Sequence, residues 1–236
     1  MNEDTHIEPD RTTRRGSLLK LGGFLVAAAS AGGITADRSE GAGSGPAAVA
    51  SGAVTCVLTP ELTEGPFYIA NEQVRRNITE GRPGTPLRLR LGVVNASTCK
   101  PIKGAAVDIG HCDAGGTYSG VQNAVGKTFM RGIQKSDGRG IAVFQTVHPG
   151  WYTGRAVHVH VKVHLGGRVV HTGQLFFADT LTDAVYRKPP YSKRPARDTR
   201  NANDSIYVNG GKKSMLALHA AGAGYLGAIT MGVHSS

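Results

Sequence analysis

An all-β fold, an antiparallel β-sandwich with long loops and little helix, is predicted by three features of the sequence. Short stretches of alternating apolar and polar residues recur from Val54 onward. Gly, Pro and Asn turn signals separate them at sandwich-like spacing, and a single short stretch has helical character. The clearest alternation is Leu87–Val94, with Leu87, Leu89, Leu91 and Val93 on one side and Arg88, Arg90 and Val94 on the other. Further strands are predicted over Ala105–His111, Ile141–Val147, Ala156–Leu165, Arg168–Phe177, Met215–Ala220 and Tyr225–Val233. Asp137-Gly138 and Gly166-Gly167 have the composition of hairpin or turn positions. The helical stretch is Thr180–Tyr186, and residues 187–205, rich in Pro, Arg, Asn and Asp, are expected to form a long loop.

The chain of 236 residues is not uniform along its length. Arg14 and Arg15 precede a short apolar run rich in Ala and Gly, the pattern of a twin-arginine export signal, here assigned to residues 1–36. The run is too short and too rich in Gly for a transmembrane helix. Small polar residues follow, and 37–53 is expected to be a flexible linker, with Ala48-Val49-Ala50 one candidate for cleavage. Residues 54–236 then form one domain, long enough for one well-buried core. The leader implies an exported protein that meets the twin-arginine machinery, and the membrane only in transit. That route carries folded proteins.

Formal net charge is +10, and it belongs to the domain: residues 45–236 carry 22 basic and 11 acidic side chains. Such an excess favours anionic surroundings or simply solubility. The basic residues are scattered and no recognition motif accompanies them, so no nucleic-acid partner is expected. Three cysteines occur without a C-x-x-C pair, which argues against a thiolate zinc site. Cys56 and Cys99 lie at strand edges and are expected to pair; Cys112, inside an apolar strand, is expected to stay a buried thiol.

Chemistry concentrates in AVHVHVKVHL, residues 156–165. Val157, Val159, Val161 and Val163 share one face of such a strand, and His158, His160, Lys162 and His164 share the other. Histidines at i and i+2 can reach one metal ion, although an H-x-H pair alone also occurs on ordinary surfaces. A cupin would place a Glu shortly afterwards; here Lys162 and Val163 follow, and no Glu precedes Asp179. A two-His-one-carboxylate iron site lacks its carboxylate in this stretch as well. Tyrosines are better placed: Tyr118 ends DIGHCDAGGTY, and Tyr152 lies in HPGWYTGR just before the His strand. Either ring taken alone reads equally as a packed tyrosine.

In combination, A-x-G-x-Y-S (Ala114–Ser119) followed by P-G-W-Y-x-G-R-x-x-H-x-H (Pro149–His160) resembles the intradiol ring-cleavage dioxygenase family. LTPELTEGPFY (58–68), CKPIKGAAVDI (99–109), FMRGIQKSDGRG (129–140) and LTDAVYRKPPYSKRPARDTRN (181–201) extend the resemblance over nearly the whole domain. It is similar to the exported, single-domain branch; a helical N-terminal dimerisation domain, as in the catechol 1,2-dioxygenases, is missing from it. The resemblance implies a non-haem Fe(III) held by Tyr118, Tyr152, His158 and His160. It implies a catechol-type diphenol and O2 as substrates, and ring cleavage between the two hydroxyl-bearing carbons to a cis,cis-muconate-type diacid. It assigns Tyr152 the role of the tyrosinate that leaves the metal and takes a substrate proton. Arg155 would stabilise negative charge developing on the substrate. Gln174 matches a position beside the metal. His164 is expected to be structural or solvent-facing, and His111 and His148 are at most pocket residues. Relatives usually have Trp in place of Gly110 and often Tyr in place of His148; the missing Trp is expected to enlarge the pocket. Two other readings compete: an exported β-sandwich module binding carbohydrate or aromatic polymer with a non-catalytic metal site, and a secreted copper or zinc protein using His158 and His160.

Overall fold

Alternation in the chain is what divides it into two faces per strand. The computed structural model describes residues 58–70 and 72–234. The predicted export signal, the linker and Cys56 lie outside the described residues.

Strand β1 (Pro86–Asn95) buries Leu87, Leu89, Leu91 and Val93 and exposes Arg88. It lies beside β4 (Ile141–Val147) and β8 (Gly224–Val233), and β7 (Ala217–Ala221) completes a sheet of order β4-β1-β8-β7. The second sheet has order β3-β2-β5-β6, from β2 (Ala106–Gly110), β3 (Arg131–Lys135), β5 (His158–Leu165) and β6 (Arg168–Phe176). The inner faces meet in one core that joins Leu87, Leu89 and Phe144 to the valine face of β5. This is the predicted β-sandwich, with little helix. Its pairs are antiparallel except one: β1 and β8 run parallel along Leu87↔Tyr225 to Asn95↔Val233. The two strands are far apart in the chain, so no tight turn dictates their direction.

Gly166 and Gly167 (φ +56° and +80°) close the β5–β6 hairpin as predicted; a two-residue turn with both φ positive matches the strands' twist. Asp137-Gly138 does turn the chain, but it carries it from β3 in one sheet to β4 in the other. Strand β3 itself has no alternating apolar pattern. It is an edge strand, with a glycine and charged ends, held by pairing to β2.

Helix α1 (Asp179–Tyr186) follows β6. The long loop after it is pinned by Arg197, whose buried guanidinium bonds Asp179 and Asp183. The loop ends in a four-residue helix, α2 (Ser205–Val208), capped by Asp204. Cys99 is disulfide-bonded and Cys112 is a buried free thiol.

The outer face of the β3-β2-β5-β6 sheet is covered too. Residues 59–68 run across it: Leu62 N donates to Thr172 O, Gly65 packs on the His160 ring, and the Tyr68 hydroxyl donates to Asp108. His158, His160 and Lys162 of β5 are therefore buried although they face away from the core. Because β1 and β5 share one core, Leu89→Ala should destabilise the whole domain by roughly 2–5 kcal/mol, read from urea denaturation. A loss below about 1 kcal/mol would mean that the two faces are not packed as described.

Candidate metal centre

The pleat of β5 places His158 and His160 on one side with their Nε2 atoms 3.1 Å apart. His158 Nδ1 lies 2.7 Å from the Ala156 carbonyl. A carbonyl only accepts, so Nδ1 carries the proton and Nε2 offers its lone pair. The Tyr152 hydroxyl is 3.2 Å from that Nε2. The Tyr118 ring centroid is 5.6 Å from that of Tyr152 and 5.9 Å from that of His160. All four predicted ligands therefore converge.

Two loops bring the tyrosines in. Asp113 Oδ1 accepts from Gly115 N and Thr117 N, a side-chain-stabilised turn that delivers Tyr118. The Asp113 carbonyl accepts from Gly150 N, which ties that turn to the loop carrying Tyr152. A side chain at Gly150 would meet the Ala114 carbonyl at 2.5 Å, so only glycine permits this approach. Tyr118 is fully buried, its ring stacked on Phe67 at 4.6 Å, while Tyr152 is half-buried in a loop with exposed neighbours.

Burial holds every donor neutral in the protein alone. It pushes His158 down to about 3 and His160 well below its ordinary range. It raises Tyr118 well above 10 and Tyr152 to about 12, the latter against the pull of Arg155. The Tyr118 oxygen is buried without a well-formed hydrogen bond, and so is His160 Nδ1. Neutral imidazole nitrogens and two phenol oxygens, converging with no carboxylate among them, fit a hard trivalent cation that would deprotonate the phenols on binding. Among the described residues no group of three or more His, Cys, Asp or Glu could hold a metal.

Arg155 borders this cluster. Its Nε donates to Asp204 Oδ2 at 2.8 Å and its Nη2 to Gln174 Oε1 at 2.5 Å. Gln174 pairs with His160 across β5 and β6 and also donates from Nε2 to the Thr63 carbonyl. Its contact is thus with the arginine. Asp204 escaped sequence reasoning; the only signal was an Asp before Ser-Ile-Tyr, the composition of a helix N-cap.

The remaining candidates separate. His164 lies beyond the cluster, partly exposed. His111 is enclosed and bonded to the Cys112 carbonyl and the Thr146 hydroxyl. His148 is enclosed among Phe177, Tyr186 and Tyr191, so neither lines an open pocket. Arg131 Nη1 would stand 3.2 Å from a Cβ at Gly110. A cleft of about 330 Å³, including open solvent, is lined by Gly110 and Arg131 together with Tyr68, Asp108, Lys162 and His160. Burial raises Asp108 there to about 7.

Comparison with known proteins agrees with this geometry. The Dioxygenase family profile matches residues 60–186. An intradiol ring-cleavage dioxygenase from Tetranychus urticae is 34% identical over 76% of this chain and 95% of its own, with a TM-score of 0.72. The dioxygenase domain of a carbohydrate-binding fusion protein from Streptomyces sp. SirexAA-E is 27% identical over 76% of this chain and 99% of its own, with a TM-score of 0.59. A chlorocatechol 1,2-dioxygenase from Pseudomonas sp. (strain P51) is 27% identical over 135 residues, 48% of this chain. The chain spans about half the length (53%) of that curated relative. The chain belongs to the intradiol ring-cleavage dioxygenases, a family of oxidoreductases.

The closed histidines make acid stability testable. Burial lowers His111 from 6.5 to about 4 and His148 from 6.5 to about 3. Between those values the unfolded chain binds protons that the folded chain refuses. The resulting stability is complete above pH 6.5 and is lost as pH falls through 4 and 3. Asp108, raised, acts oppositely and loses its contribution as pH rises toward 7. Melting temperatures across that range should therefore fall less on acidification for His148→Phe than for the parent. Equal falls would mean His148 is not held neutral.

Proposed function

We propose that the chain is an Fe(III) intradiol dioxygenase that cleaves a catechol-type diphenol between its hydroxyl-bearing carbons with O2, giving a cis,cis-muconate-type diacid. The observation that carries this reading is the convergence of Tyr118, Tyr152, His158 and His160, buried and free of carboxylates, next to a fixed arginine. Iron bound by these four side chains would supply a Lewis acid for the substrate oxygens. Two phenolates and one hydroxide would cancel its three charges, so that the buried site carries no net charge.

The residues divide the remaining work. Tyr118, packed under Phe67, is the tyrosine that stays. Tyr152, half-buried in its loop, is the tyrosine assigned to leave, and as a metal-bound phenolate its Oη would take a proton from the diphenol. Arg155 offers a cation, already oriented, to negative charge that develops on the substrate oxygens. Phe67 and Gly65 roof the cluster and keep bulk water from it. The Arg14-Arg15 leader supports export through the twin-arginine route, with the mature domain acting outside the cytoplasm.

Purified protein should carry about one iron per chain and a red ferric–tyrosinate band that moves to longer wavelength with anaerobic catechol. His160→Ala should hold iron at least about tenfold more weakly and lose the band. Tyr152→Phe should keep iron, because three ligands remain, and shift the band. A chain that stays colourless after iron reconstitution would sink the dioxygenase reading and leave the exported binding module.

A further inference from the structure

Asp204 is 1% exposed, and both its oxygens are occupied. Oδ1 accepts from Ile206 N and Tyr207 N, each at 2.8 Å, which caps α2. Oδ2 accepts from Arg155 Nε at 2.8 Å and from Ala156 N at 2.7 Å. One carboxylate thus joins the end of the long loop to the guanidinium and to the backbone just before the His strand. Gln174 Oε1 holds the same guanidinium from its Nη2. Two fixed acceptors on different nitrogens of a planar group set both its plane and its rotation. Among the described residues no acceptor bonds Nη1, so the clamp leaves that nitrogen for another partner.

We propose that Asp204 is a positioning residue: it clamps Arg155, against Gln174, so that Nη1 is presented to a substrate oxygen. The proposal rests on the dioxygenase reading and adds to it a residue 49 positions away in sequence. Without the clamp the arginine keeps its charge but must be reoriented during each turnover, which weakens what it contributes to the transition state rather than to the bound substrate.

The test is a double-mutant cycle on the iron-loaded full chain, with Asp204→Asn, Arg155→Met and both together. Asp204→Asn should keep the iron content and the resting band. It should change the catechol dissociation constant less than about threefold and lower kcat about 10- to 100-fold, the size of one lost charge-assisted hydrogen bond. In the Arg155→Met background the same substitution should cost less than about twofold, because its target is gone. Equal costs in both backgrounds would overturn the proposal, since Asp204 would then act through the fold. Loss of iron from Asp204→Asn alone would also overturn it, placing the effect on the start of β5 through Ala156. Should Asp204→Asn fail to fold, Asp204→Ser keeps a capping oxygen, removes the charge, and is read in the same cycle. A wild-type chain that takes no iron overturns the dioxygenase reading and this proposal with it; iron-replete wild type with additive variants overturns only the role of Asp204.

Discussion

The rest of the structure hangs on the two-residue period of β5. Val157, Val159, Val161 and Val163 enter the core between the sheets, and that packing clamps the strand from one side. The same pleat sends His158 and His160 to the other side, with their Nε2 atoms 3.1 Å apart. A rigid strand can hold two donors at such a spacing because the pleat is a covalent repeat, backed by hydrogen bonds on both neighbours. Shifting the strand by one residue would exchange the faces, burying imidazoles among leucines and putting valines where the donors now stand. Fold and centre are therefore specified by the same interaction.

Placing donors on the outer face creates a second requirement, a cover. Residues 59–68 meet it by lying across the sheet, and the result is a centre buried from both sides. Burial lowers the histidines and raises the tyrosines, so the protein alone holds a nest of neutral lone pairs. A cation of high charge reverses the situation at the tyrosines and leaves the imidazoles neutral. The cover also explains how Lys162, on the same row, can be buried: it pairs with Glu64 and sits over the Tyr68 ring at 3.9 Å, both on the covering segment.

Much of this was legible in the sequence, for a physical reason. Strands that alternate cleanly, β1, β4 and β5 among them, carry their burial pattern in their own residues, and their limits were found within a residue or two. The four candidate ligands were legible because they sit in dense, ordered motifs. What escaped was set by distant partners. Strand β3 is held by hydrogen bonds to β2 on one side and to residues 73–75 on the other, none of which its own sequence records. The parallel β1–β8 pair joins segments over a hundred residues apart, where no turn records direction. Asp204 reads locally as a helix cap, and only the fold brings it to Arg155.

The centre combines two kinds of support. Its imidazoles stand on a core strand, and Tyr118 is stacked and enclosed, so these three have one arrangement available. Tyr152 and Arg155 come from the short loop that leads into that strand, where Thr153 and Gly154 are exposed. A reaction in which one ligand must leave and a charge must be met needs movable groups, but movable groups lose orientation. The loop resolves this unequally. Tyr152 is held by edge contacts to Phe67, Tyr118 and His158 and by its hydroxyl beside His158 Nε2, all within the cluster itself. Arg155, three residues on, is bound on two sides by buried side chains from β6 and from the end of the long loop. In the proposed reaction the exchange of a ligand would be confined to Tyr152, while the charge that must await the substrate would be held by side chains from two separate elements.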